Sequence, residues 1–172
     1  MKRTISLLFV AIVFVGFIAA QDAPVAEDSA ALETPEAFRR LIDVGTSLNE
    51  LNMAVGDMAQ LEALADRVLI LDGTAANITV YSEEPEDFYI ELELVSGRWD
   101  GVESVRMFRA YVVLDDPAFA GRLAERAPRD PDPELILRSD HVLVAGRLVS
   151  LAEDPEGRPV PVLHAYDIRA LR

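Results

Sequence analysis

Two histidines, His141 and His164, and thirty carboxylates make up the acid–base and metal-ligating side chains of a chain without cysteine. Thiolate catalysis, Cys-ligated zinc and iron–sulfur chemistry are therefore closed to it. Neither histidine has a metal-type partner at i+2 or i+4, so the pair is a thin basis for a zinc site. Ser139-Asp140-His141 carries the letters of a nucleophilic triad, but adjacent residues point in different directions and there is no G-x-S-x-G elbow. Asp130, Asp132 and Glu134 alternate as D-x-D-x-E, an oxygen spacing that suits calcium. Prolines interrupt that run, and a solvated linker explains it better. Paired-carboxylate catalysis needs one acid partly buried, and nothing in the sequence singles out a pair. Asn77-Ile78-Thr79 matches the glycosylation sequon but falls in a strand-like run, and no glycine loop exists to cradle phosphate. The sequence thus offers no catalytic, cofactor-binding or metal-ligating set, and it predicts a non-enzyme with no cofactor.

Composition narrows the partners. The chain has 172 residues, 51% of them hydrophobic, and a net charge of −14, which fits one globular domain with short extras. Residues 1–20 read as a secretory signal: Lys2 and Arg3, an apolar run from Ile5, then Ile18-Ala19-Ala20 before Gln21. An uncleaved anchor is the alternative, but sixteen helical residues reach only about 24 Å against a hydrocarbon core of roughly 30 Å. Cleavage leaves no membrane span and makes the remainder more acidic. Export without cysteine suits a bacterial periplasm. Phosphate backbones are held by Lys and Arg, so such an acidic chain disfavours nucleic acid and leaves an envelope protein, a small ligand or an oligosaccharide as candidate partners.

The elements that would position any site follow in order. Residues 21–34 are an acidic, Ala-rich leader. Residues 35–65 are a helical segment. Thr34-Pro35-Glu36 starts one helix, with Phe38, Leu41 and Ile42 on its apolar face and Gly45 as its stop. Ser47 with Glu50 forms a capping box for a second, carrying Leu48, Leu51, Val55, Met58, Leu61 and Ala65. From Arg67 the period becomes that of strands: Val68–Leu71 into Asp72-Gly73, then Ile78–Tyr81. Phe88–Val95 alternates Ile90, Leu92 and Leu94 against Tyr89, Glu91 and Glu93. Ser96-Gly97 reads as a turn, Val105–Leu114 as a third strand, and Asp115-Asp116-Pro117 as the cap of a helix ending near Ala127. Two final strands, Val142–Leu171, join at Asp154-Pro155-Glu156-Gly157, with Gly146 inside the first.

Strand, strand, strand, helix, strand, strand resembles the OB-fold, a five-stranded barrel with a helix between its third and fourth strands. The resemblance covers residues 66–172 and rests on that order, on Asp72-Gly73 and on Val144-Ala145-Gly146-Arg147. A meandering sheet with one helix is the competing architecture. OB-folds bind ligands across strands two and three and the adjoining loops. The resemblance therefore implies a candidate face of Tyr89, Trp99, Arg106, Arg109 and Tyr111, with Tyr81 and Phe108 nearby, suited to stacking bases or sugars. Phe108 and Tyr111 as core, and Trp99 as a barrel seal, is the plainer reading, and Glu91 and Glu93 oppose phosphate there. Arg98-Trp99-Asp100-Gly101 is similar to the Trp-x-Gly turn of the small periplasmic bacterial OB-fold proteins. The haem chaperone of cytochrome c maturation has Tyr four residues after its His, whereas Tyr166 follows His164 by two, so that function is not carried over. The expectation is a periplasmic, non-enzymatic OB-fold binding module. A hydrolase using Asp, Glu or His is the alternative, and single-stranded nucleic-acid or oligosaccharide binding the third reading.

Overall fold

The computed structural model describes residues 41–172. The signal, the leader and the start of the first helix lie outside the described residues. Within them, the helix expected to reach Gly45 gives way to a two-residue strand, β1 (Ile42–Asp43), parallel to the next strand through Ile42↔Val68. The Asp43 carboxylate accepts the N–H groups of Gly45 and Thr46 and pairs with Arg67. That local turn competes successfully with a helix.

Ser47 and Glu50 form the expected capping box and start α1 (Leu48–Ala54). Asp57 caps α2 (Met58–Ala65) by accepting from Ala59 and Gln60. Gly56 falls between the two helices rather than inside one. Five longer strands follow: β2 (Val68–Ser82), β3 (Tyr89–Asp100), β4 (Ser104–Leu114), β5 (His141–Glu153) and β6 (Pro159–Ala170). They close a ring. β2 pairs with β3, β3 with β4 and β5 with β6, all antiparallel; β4 pairs with β6 in parallel, and β5 returns to β2 antiparallel. This is the five-stranded OB-fold order, mainly β.

Alternation builds the core. The buried residues Ile78, Leu92, Val112, Leu163 and Leu148 are successive cross-strand partners around the barrel, and each such side chain stabilises by about 1.5–3 kcal/mol on burial. Gly146 sits where the β6 backbone lies close against β5. A Cβ there would lie 2.7 Å from the His164 carbonyl oxygen. Leu48, Leu51 and Ala54 of α1 bury against one end of the barrel.

The connection from β4 to β5 departs from expectation. Instead of a helix running to Ala127 there is one 3-10 turn, Pro117–Phe119, capped by Asp116. Gly121 then takes φ +73°, and Leu123 bridges to Ile136. Phe119, Leu123 and Ile136 are buried, so covering the barrel overrides the helical propensity of the Ala-rich stretch. The Ser96-Gly97 turn is also absent. The β3–β4 ladder runs on to Asp100↔Ser104, and the chain reverses at Gly101, whose φ is +74°.

Candidate functional site

That longer ladder makes a projecting hairpin. Ser96↔Phe108 is the last pair touching the core; beyond it come Gly97↔Met107, Arg98↔Arg106, Trp99↔Val105 and Asp100↔Ser104. Strand alternation puts Trp99, Val105 and Met107 on one side, and Arg98 and Arg106 on the other. Trp99 is 70% exposed. Arg98 and Arg106 stand directly opposite one another, a repulsive arrangement that Asp100 offsets by accepting from Arg106 Nη2 at 2.8 Å. An open groove of roughly 300 Å³ lies between this hairpin and α1, lined by Asn49, Met53, Arg98, Trp99, Arg106 and Phe108.

A second groove of roughly 620 Å³ continues along β4 toward the β5–β6 turn and takes in Arg106, Arg109, Asp154 and Arg158. Its charges are organised by Asp154, the one buried charged residue among those described. Burial works against its ionisation. The backbone N–H and side chain of Arg158 and the N–H of Glu156 outweigh it and hold the carboxyl at about 2. Arg109 Nε binds Glu93 at 2.8 Å, and its Nη1 lies 3.6 Å from Asp154.

The five predicted face residues divide into three places. Trp99 and Arg106 share the hairpin. Arg109 and half-buried Tyr111 lie mid-sheet, where burial, then Glu93, pushes the Tyr111 hydroxyl up. Tyr89 is ten residues from Trp99 along β3, about 33 Å of strand, and burial, then Glu91, raises its pKa. Phe108 is core, as its alternative reading had it, and Tyr81 stands beside Tyr89. Trp99 seals nothing. Ser139, Asp140 and His141 do not converge: Asp140 accepts from Leu137 N–H, and His141 lies 3.6 Å from Asp72. Arg98, Asn49, Met53 and Arg158 escaped the sequence reading. The adjacency of Arg98 to Trp99 was visible, but its pairing with Arg106 depends on the ladder register.

No protein-family model matches the chain, and no curated protein matches it in sequence. Solved structures resemble it over part of the chain. A small single-stranded DNA-binding protein from Streptomyces coelicolor is 16% identical over 59% of this chain and 88% of its own, with a TM-score of 0.38. A mitochondrial single-stranded DNA-binding protein from S. cerevisiae is 15% identical, covers 61% and 94%, and scores 0.39. The Plasmodium falciparum single-stranded DNA-binding protein, solved with single-stranded DNA, is 13% identical with the same coverage and score. Similarity of this size concerns the order of elements.

The expectation that nucleic acid is disfavoured is corrected by the fold, because net charge over the whole chain does not describe the hairpin end of the barrel. There Arg98, Arg106, Arg109 and Arg158 gather, with Asp100, Glu93, Asp154 and Glu156 as partners of all but Arg98 among the described residues.

Proposed function

We propose that the chain binds single-stranded nucleic acid on the β3–β4 hairpin and the grooves beside it, as a binding protein without chemistry on its ligand. The observation that carries this reading is Trp99, exposed on a projecting ladder and lining one groove with Arg98 and Arg106, which stand on the ladder's other side. A base can stack on the indole, which contributes about 1–3 kcal/mol per base. Arg98, with no partner among the described residues, and Arg106 supply the backbone contacts. Every cation in the described residues other than histidine is an arginine, and guanidinium both pairs with phosphate and stacks on rings. The carboxylates of Glu91 and Glu93 keep the strand away from the middle of β3, so the path follows the hairpin and α1 rather than the whole sheet face. Fluorescence anisotropy of a labelled oligothymidylate at low salt, repeated at physiological salt, tests the reading. Saturable, salt-sensitive binding is expected; no binding even at low salt defeats it.

A further inference from the structure

The end of the barrel opposite the Trp99 hairpin carries a second aromatic surface that nucleic acid does not explain. Tyr81 at the end of β2 meets Tyr89 at the start of β3 edge to face, with centroids 5.4 Å apart and planes at 61°. On β6, Tyr166 meets His164 the same way, at 5.4 Å and 81°. Between the two pairs, just after β4, stands Asp115, whose Oδ1 lies 2.7 Å from His164 Nε2. Ile90 pairs with Leu114 and Val113 with His164. The row therefore crosses three adjacent strands, and strand spacing sets the aromatic pairs roughly 10 Å apart. Tyr81 is 63% exposed and Tyr166 51%. Rings so exposed contribute little to the core.

Charge decides what such a row can hold. Glu91 adjoins Tyr89 on β3, and the loop 83–87 carries four carboxylates and no cation, so a phosphate backbone is repelled. A guanidinium can lie on an aromatic face and pair with a carboxylate at once. Between Tyr89 and Tyr166 it would find both rings and the Asp115 carboxylate; an ammonium, a strongly hydrated point charge, would gain less. We propose that this face docks an arginine-rich segment of a partner protein, separately from nucleic acid at the hairpin.

The test is the full chain titrated with a fluorescein-labelled arginine–glycine repeat peptide at physiological salt. Saturable binding is expected, several-fold tighter than for the matching lysine–glycine peptide. The Tyr89→Ala/Tyr166→Ala double variant should lose about tenfold in affinity, and Asp115→Asn should weaken binding as well. The Tyr89→Phe/Tyr166→Phe variant, which keeps the rings, should retain it and so separates docking from misfolding. Oligothymidylate binding by these variants should be unchanged, because Trp99 lies at the other end. Equal peptide binding by wild type and the alanine double variant, or equal binding of the two peptides, overturns the proposal: attraction would then be to acidic surface at large. Peptide binding with no oligothymidylate binding would instead remove the hairpin reading and leave this one standing.

Discussion

Asn52 holds the backbone of Arg109 at both ends: its Nδ2 donates to the Arg109 carbonyl at 2.9 Å, and its Oδ1 accepts the Arg109 N–H at 3.4 Å. β6 pairs with β4 only at Tyr111, Val112 and Val113. The carboxamide on α1 thus replaces the next peptide unit of a strand that has turned away, and it anchors the hairpin where it leaves the barrel. Asn52→Ala should destabilise the protein by about 1–3 kcal/mol, the cost of stranding a half-buried donor and acceptor. Urea unfolding checks this, and an unchanged midpoint would show that the clamp does not bear on stability.

Gly146 marks a tight approach of β5 to β6. Gly146→Ala would force its Cβ against the His164 carbonyl, backbone against backbone, and should cost about 1–3 kcal/mol. Gly45→Ala, with no atom nearer than 3.7 Å to the new Cβ, should stay within about 0.5 kcal/mol of wild type. Thermal melts of the two variants should separate clearly; equal melts would mean that β5 can shift away from β6.

Asp154 gives the fold a pH signature. Its folded pKa of about 2 lies below the unfolded value of about 3.9. Its contribution is therefore complete above about pH 4 and lost as pH falls toward 2. Asp154→Asn should melt below wild type near neutrality, and the gap should close across that acid window. A gap of constant size would place the effect in packing rather than in the ionised carboxylate.

Arg98 and Arg106 should act on nucleic acid through the salt dependence of binding. Replacing both by Gln should lower the slope of log K against log salt by about 1.4, at about 0.7 per contact on a single strand. An unchanged slope would place the phosphate contacts elsewhere.

Most of the barrel was legible because alternation is a strong signal wherever one face is buried: Ile90, Leu92 and Leu94 point inward as read, and the capping box at Ser47 starts a helix. Gly146 permits close backbone approach, as its place in a strand suggested. Where tertiary contacts outweigh local preference, the reading failed. Asp116 does cap a turn, but burial of Phe119 and Leu123 breaks the helix after three residues. Ser96-Gly97 looked like a turn, yet Gly101 provides the reversal and carries Trp99 out on a ladder. Strand membership alone does not define a shared face. Ten residues of β3 separate Tyr89 from Trp99, and the register of β4 pairs Arg98 with Arg106; neither relation can be seen in composition or charge.

Trp99 is the single tryptophan of the chain, so its emission reports on the hairpin without any label. Titration with unlabelled oligothymidylate at low salt, followed by back-titration with salt, is the most direct measurement. A base stacked on the indole predicts saturable quenching that salt reverses, with Trp99→Phe retaining binding better than Trp99→Ala. Unchanged emission at saturating oligonucleotide and low salt would contradict nucleic-acid binding at this hairpin.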